Sequence, residues 1–254
     1  MKSLIIKAAK DAGKLLMRNY GKVKYVREKD QESYFTNVDV ESEKLIISAI
    51  RKNFPGHNII SEESGNANKA SEYTWYIDPL DGTHNYIKKF PLFGTSIALE
   101  HKGQVKFGAI NLPYFNELYF AEKGRGAFLN GKRIRVSSQK NIKKSFVVTD
   151  LALRHYPEDK IRIIKKLKGK VYDLRVLGCA VYDYAMIARG SADAYITRYT
   201  NAWDMAAGGL IVEEAGGRVT DFDGKRWNTN MSRFVSSNGK IHGQLLKVLR
   251  QHVQ

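Results

Sequence analysis

Cysteine is almost absent from these 254 residues: Cys179 stands alone. A single thiol excludes an intramolecular disulfide framework and fits a reducing cytoplasm. Long apolar runs are also missing. Nothing approaches the roughly 20 residues that a membrane span needs, and Met1 to Tyr20 reads as a Lys-rich amphipathic helix and not as a signal peptide. No stretch rich in Pro or Ser marks a linker, no repeat is visible, and no low-complexity tail is present. Acids are scarce: 26 against 42 Lys and Arg, a formal net charge of +16. Such an excess raises the question of a polyanionic partner.

The distribution of that charge answers against nucleic acid. Lys2, Lys7, Lys10 and Lys14 stripe the first helix. The densest cluster, Lys160, Arg162, Lys165, Lys166, Lys168 and Lys170, surrounds Ile161, Ile164 and Leu167 at helical spacing. That is the solvated face of an amphipathic helix. No nucleic-acid-binding signature accompanies it, and attraction of small anions is a by-product of the excess.

What the chain does have is concentrated in three short segments. Trp75-Tyr76-Ile77 reads as a strand, and Asp78-Pro79-Leu80-Asp81-Gly82-Thr83 as the turn that ends it. Two carboxylates three residues apart on a stiff turn suit a hard divalent cation, which takes oxygen ligands at about 2.0–2.1 Å. Gly82 and Thr83 follow with N–H groups and a hydroxyl fit for an anion. Alone, such a turn is usually an ordinary surface feature. Two further segments change that. Asn58 to Gly65 is an apolar run ending in Glu62-Glu63, and Ala202-Trp203-Asp204-Met205-Ala206-Ala207-Gly208-Gly209 sets an Asp in the first turn of a helix.

These segments resemble the inositol monophosphatase family, within the lithium-sensitive, Mg-dependent sugar phosphatases. Its two signatures are matched by Trp75 to Asn85 and by Trp203 to Gly217, and the likeness extends from the first helix to about Asn238. The resemblance implies an α/β (α+β) fold, a layered α-β-α-β-α sandwich of the inositol monophosphatase/fructose-1,6-bisphosphatase type. It divides the chain into an N-terminal α+β half, residues 1–144, and a C-terminal α/β half, residues 145–254, meeting at the active site.

The same resemblance implies a ligand set for two or three Mg²⁺ ions, with Mn²⁺ as a substitute. Glu62, Asp78 and the Leu80 carbonyl hold the first, and Asp78, Asp81 and Asp204 the second. A water oriented by Glu62 and Thr83 attacks the phosphate directly. Asp39 fixes Thr83, or else it serves only as a helix cap. Asp81, Gly82, Thr83, Arg175, Ala180 and Arg198 are the expected substrate contacts. Cys179 is packing and not a nucleophile. Glu63 is placed beside a ligand or in solvent, His84 at the rim and His57 in a structural turn. Met17, Met186 and Met205 fall on apolar helix faces.

Thr197 departs from the inositol-specific pattern. It stands seven residues before Asp204, where those members carry a Glu. A neutral Thr followed by Arg198 suits a second phosphate, which a guanidinium grips bidentately; the alternative for Arg198 is a surface salt bridge. The closest pattern is that of dual-specificity members hydrolysing fructose 1,6-bisphosphate and inositol 1-phosphate. Relatives acting on 3′-phosphoadenosine 5′-phosphate, NADP or histidinol phosphate share the signatures. A binding-only protein for anions or nucleic acid is the reading of another class. A homodimer is the family's usual assembly, with a sugar or polyol phosphate as substrate and no membrane partner.

The periodicities predict helices over Ser3 to Asn19, Asp39 to Phe54, Glu158 to Lys168, Ala180 to Arg189, Met205 to Ala215 and Gly239 to His252. Strands are expected at Thr95 to Glu100, Val105 to Asn111, Leu118 to Ala121, Arg133 to Val136, Phe146 to Asp150, Val171 to Leu174, Ala192 to Ile196 and Phe234 to Ser236, with a hairpin tip at Lys102-Gly103.

Overall fold

The computed structural model describes residues 1–30, 33–67, 69–150 and 157–250. Strands β1 (Val26–Asp30) and β2 (Ser33–Thr36) form a separate antiparallel hairpin. Eight strands build the first large sheet: β3 (Asn58–Ser61), β4 (Gly65–Ala67), β5 (Tyr73–Asp81), β6 (Gly94–His101), β7 (Gln104–Leu112), β8 (Glu117–Glu122), β9 (Gly126–Leu129) and β10 (Lys132–Arg133). Their order is β10-β9-β8-β7-β6-β5-β3-β4, antiparallel except where β3 runs parallel to β5. A second, mixed sheet has the order β12-β11-β13-β15-β14. It comprises β11 (Phe146–Thr149), β12 (Asp173–Val176), β13 (Ala194–Arg198), β14 (Arg218–Thr220) and β15 (Arg233–Ser237). The helices are α1 (Lys2–Asn19), α2 (Asn37–Asn53), α3 (Thr83–Ile87), α4 (Pro157–Leu167), α5 (Ala180–Ala188), α6 (Ala202–Glu214) and α7 (His242–Arg250).

Strand alternation fixes the layers. Trp75 and Ile77 point into a core with Ile5, Ala12, Ile46 and Ile50 of α1 and α2, while Tyr76 between them faces α5 and α6. In the second sheet, Val148, Tyr195 and Phe234 join that same central core. Their neighbours Val147, Ile196 and Val235 face the opposite way, against α4 and α7. Period-2 patterning with both faces covered therefore gives α1/α2, sheet, α5/α6, sheet, α4/α7. This is the expected α-β-α-β-α sandwich. The central helix α6 must fit between two sheets, and its Ala206-Ala207-Gly208-Gly209 run permits that. A Cβ on Gly208 would stand 2.2 Å from Cγ of Tyr184, itself fully buried.

Several elements differ from the sequence expectation. β5 does not stop at Ile77. It continues through Asp81, with a register shift between Asp78 and Asp81 where Pro79 cannot donate a ladder hydrogen bond. The two acids thus sit on a bulged strand end and not on the turn beyond it. The β1–β2 hairpin was not anticipated, because Val-Arg-Glu-Lys-Asp has no apolar alternation. Of the Arg133 to Val136 stretch only Arg133 is strand, at the end of β10; Val136 N–H instead donates to the Ala215 carbonyl at 3.1 Å. The strand expected at Val171 to Leu174 is Asp173–Val176, and the one at Ala192 to Ile196 is Ala194–Arg198. Met17 is exposed, while Met205 is buried and Met186 packs on the central core. Helix α7 begins at His242 and not at the expected Gly239, and residues 251 and 252 of the last predicted helix lie outside the described residues.

Candidate active site

Four elements deliver acids to one place. Glu62 follows β3, Asp78 and Asp81 end β5, Asp204 opens α6, and Asp39 opens α2. Each is locked locally. Asp39 is the third residue of α2 and closes a capping box, its Oδ2 accepting from Thr36 N at 2.8 Å and Thr36 Oγ1 at 2.6 Å. Its other oxygen accepts from Thr83 Oγ1 at 3.1 Å. Asp39 is therefore a helix cap and a partner of Thr83 at once. Asp204 plays the matching role in α6, where Oδ2 accepts from Asn201 N at 2.8 Å and Thr200 Oγ1 at 3.1 Å. Asp81 Oδ2 accepts from Val181 N at 2.5 Å, tying β5 to the first turn of α5. Asp78 Oδ1 accepts from Leu80 N at 3.0 Å.

Thr83 Oγ1 also lies 2.9 Å from the Leu80 carbonyl oxygen. Gly82 makes the turn between the acids and α3 with φ +81°, and a Cβ there would meet the Leu92 carbonyl oxygen at 2.6 Å. Only glycine accommodates both the left-handed backbone and that approach.

Burial dominates the electrostatics. It pushes Asp39 and Asp81 up to about 6 and Glu62 and Asp204 up to about 7, and it raises Asp78 well above the carboxylate range. Mutual repulsion adds to this: Glu62, Asp81 and Asp204 all act on Asp78. A group of neighbouring acids that each prefer to be neutral is a concentration of unbalanced negative charge. Lys29 is the one cationic side chain paired with it among the described residues, its Nζ 3.3 Å from Glu62 Oε1 and 2.8 Å from Glu63 Oε1. Burial opposes the Lys29 charge, but the two glutamates outweigh it and its pKa rises.

The donors are all oxygen, carboxylate and carbonyl, which is the chemistry a hard cation such as Mg²⁺ selects. Their mutual repulsion is what such an ion would relieve, so the residues fit the group. Among the described residues no three acidic, His or Cys side chains are already drawn into a formed cage. The acids lie near enough to shift one another's protonation, yet each is turned to its own hydrogen-bond partner.

Other predicted site residues fall into two groups. Ala180 opens α5 beside Val181, and Cys179 is buried, with its S–H directed at Asp81 Oδ2 at 3.5 Å. Burial raises that thiol far above its usual range, as packing and not nucleophilic chemistry requires. The arginines pair with other acids. Arg175 pairs with Asp173 and lies over the Phe146 ring. Arg198 Nη1 is 3.2 Å from Asp159 Oδ2, with its guanidinium over the Tyr199 and Phe222 rings. His57 is structural, stacked between Phe54 and Tyr73 and accepting from Trp75 Nε1 at 3.1 Å.

Two contributors escaped the sequence reading. Glu43 Oε1 accepts from Ser61 Oγ and from the backbone N–H groups of Glu63 and Ser64, both at 3.1 Å, so α2 holds the turn that presents Glu62. Its signal was present: Asp39, Ser42, Glu43, Ile46 and Ile50 share the buried side of α2, and polar residues on an apolar stripe call for partners. Lys29 had no such signal.

With this geometry in place, the comparisons with known proteins are decisive. The model of the inositol monophosphatase family matches residues 1–254. The chain belongs to that family. It is 38% identical over 250 residues to a fructose-1,6-bisphosphatase/inositol-1-monophosphatase of Thermotoga maritima, covering 98% of this chain and 95% of the relative. It is also 36% identical to the Nus factor SuhB of Pseudomonas aeruginosa, covering 100% and 97%. A solved structure of the extragenic suppressor protein suhB from Bartonella henselae superposes with a TM-score of 0.94 at 33% identity, over 99% of both chains. The fold extends to an IMPase/NADP phosphatase solved with Mg²⁺ and phosphate, TM-score 0.86 at 22% identity, covering 99% and 95%. Inositol monophosphatase family members are phosphatases, in general Mg²⁺-dependent.

Proposed function

We propose that the protein is an Mg²⁺-dependent phosphomonoesterase that hydrolyses fructose 1,6-bisphosphate and inositol 1-phosphate by direct attack of water. The observation that carries this reading is the convergence of Glu62, Asp78, Asp81 and Asp204 from three elements into one unbalanced acid cluster beside Gly82 and Thr83, with Asp78 buried and the others half-buried. Glu62, Asp78, Asp81, Asp204 and the Leu80 carbonyl would hold the cations. Bound there, Mg²⁺ supplies charge neutralisation of the phosphate ester and lowers the pKa of the attacking water.

The chain's own residues do the positioning. Gly82 and Thr83 offer N–H groups to the phosphate. Thr83, fixed by Asp39 and the Leu80 carbonyl, and Glu62 orient the water, and the Glu62 carboxylate accepts its proton. No covalent intermediate is invoked, since Cys179 is buried with its thiol held neutral. The Thermotoga maritima relative supports the dual substrate range. Thr197 in place of an acid favours a second anionic group, which Arg198 would grip on leaving Asp159. A cytoplasmic homodimer belongs to this reading by resemblance to the family.

Phosphate release tests it, with Mg²⁺ and with EDTA, from fructose 1,6-bisphosphate, inositol 1-phosphate, 3′-phosphoadenosine 5′-phosphate and NADP. Mg²⁺-dependent release from the first two is expected. Release from a nucleotide alone would make this a nucleotide phosphatase on the same site. The 36% identity to a Nus factor keeps a second reading, a binding-only protein for anions or nucleic acid. Release from no substrate would leave that one standing.

A further inference from the structure

Away from the acid cluster, a cavity of about 300 Å³ opens between the tip of the β6–β7 hairpin, the C-terminal half of α6 and the segment that follows β14. Its walls include Glu100, Gln104, Glu213, Arg226, Trp227 and Asn228. Asp204 stands at the start of α6, whereas Leu210 and Glu213, which line the cavity, lie about 9 and 14 Å farther along the same helix. The two sites are therefore separate. The walls are held in place. Tyr76 Oη donates to Thr229 Oγ1 at 3.1 Å, and Thr229 Oγ1 donates to Glu100 Oε2 at 2.7 Å. Lys123 Nζ donates to Glu213 Oε2 at 2.8 Å. Trp227 is half-buried against α6, where Gly209 makes room for it: a Cβ there would stand 3.2 Å from indole Cζ2.

The lining carries two carboxylates, Glu100 and Glu213, and two cations, Lys123 and Arg226, so its formal charges cancel and it has no net pull on an ion. What it offers instead is hydrogen bonds. Each carboxylate keeps an oxygen free of the bonds just given. Among the described residues, the Arg226 guanidinium, the Trp227 indole N–H and the Asn228 amide N–H groups have no protein partner. Spare acceptors and spare donors thus face one small space. A hydroxyl is donor and acceptor at once and satisfies both kinds. Carboxylate, amide and guanidinium each present two atoms in a plane, which matches a pair of neighbouring hydroxyls on one ligand. The C–H face of a carbon ring suits an indole, apolar over its body and polar at one N–H. The volume lies at the small end of the range for ligand sites.

We propose that this cavity is a second binding site, for a small neutral polyol or sugar. Glu100 and Glu213 accept from its hydroxyls, Arg226 and Asn228 donate to them, and Trp227 covers an apolar edge. Hydrolysis of a sugar or polyol phosphate leaves behind a molecule of this class, but the binding itself does not depend on the phosphatase reading.

The probes are myo-inositol, sorbitol and fructose 6-phosphate, titrated into the full-length protein in EDTA. The indole N–H signals of its three tryptophans are followed by NMR, that of Trp227 being assigned by its loss in Trp227→Phe. Trp227 reports on the cavity, and Trp203, next to Asp204, on the acid cluster. The Trp227 signal should move saturably with both neutral polyols, at a Kd of about 1–10 mM. Asn228→Ala and Glu100→Gln should each weaken binding at least about fivefold, while Asp81→Asn, at the acid cluster, leaves it within about twofold. No saturable shift, a shift at Trp203 alone, or binding indifferent to both cavity substitutions would overturn the proposal. Fructose 6-phosphate bound more than about tenfold tighter than the polyols would overturn the neutral class. Phosphate release is measured at the other site, so its outcome is independent of all of these.

Discussion

Replacing Asp81 with Asn should stabilise the metal-free protein while removing its activity. Burial lifts this carboxyl from 3.8 to about 6 in the folded state, against the hydrogen bonds from Val181 N and Cys179 S–H that favour ionisation. A gap of about two pKa units corresponds to about 3 kcal/mol of preference for the neutral form. Neighbouring acids share that burden, so about 1–3 kcal/mol falls to Asp81 itself. The sign follows from which state holds the proton. Below about pH 4 Asp81 is neutral in folded and unfolded chains, and no penalty applies. From there to about pH 6 the unfolded chain has lost its proton and the folded one keeps it, so stability falls as pH rises. Above that the full penalty is present.

Asn keeps an oxygen for Val181 N, which lies 2.5 Å from Asp81 Oδ2, and sheds the charge. In EDTA near pH 8, Asp81→Asn should therefore melt about 2–12 °C higher than wild type, at roughly 2–4 °C per kcal/mol for a chain of this size. The gain should shrink toward zero near pH 4. Saturating Mg²⁺ should raise wild type strongly and the variant little, and phosphate release should drop by at least about 100-fold. Thermal melts in EDTA at the two pH values, repeated with Mg²⁺, decide it. A variant that melts below wild type at pH 8, or gains as much at pH 4, would show that the cluster is not held together against its own charge.

Gly82→Ala combines a left-handed φ of +81° with a Cβ placed 2.6 Å from the Leu92 carbonyl oxygen. A loss of about 2–4 kcal/mol is expected, and a melting point within about 2 °C of wild type would rule out the strain. Burial lowers His242 from 6.5 to about 4, its ring lying between Thr220 Oγ1 at 2.9 Å and Ser237 Oγ at 2.8 Å. Its stabilisation is present above about pH 6.5 and lost as pH falls toward 4, up to about 3 kcal/mol; urea titrations of wild type and His242→Gln should converge across that window, and parallel curves would exclude it. Arg198→Ala should weaken turnover of the bisphosphate at least about tenfold more than that of the inositol ester. Equal losses would assign Arg198 only to its contact with Asp159.

The parts of this protein that are legible in sequence are those whose stabilisation is local or periodic. Asp78, Asp81 and Thr83 stand within one short segment, and Asp204 announces its helix by capping it. The strands of both sheets were readable wherever each face meets a different core, as with Val147 and Val148. The failures share a cause. Val136 is apolar because it packs on the central core, not because it extends a sheet, and Met17 stands beside the buried stripe of Ile5, Ala9, Ala12 and Leu16 and not on it. Strand β1 is polar apart from Val26, and its Lys29 pairs with residues 33 and 34 positions away. No window along the chain contains that information.

Net charge misled in the same way. An excess of +16 describes a chain rich in cations, yet Asp39, Glu62, Glu63, Asp78, Asp81 and Asp204, six of its 26 acids, are gathered in one place, Asp39 and Asp78 buried and the others half-buried. Of 42 Lys and Arg residues, Lys29 is the one paired to that group among the described residues. Surface cations separated from the cluster by solvent are screened over about 10 Å at ordinary ionic strength. They can draw an anionic substrate toward the protein but cannot balance the acids inside it. Balance must come from protons, from Lys29 or from a bound cation. Protons and a bound cation act on the same carboxylates, and that ties the pH dependence of stability and the metal affinity to one set of acids.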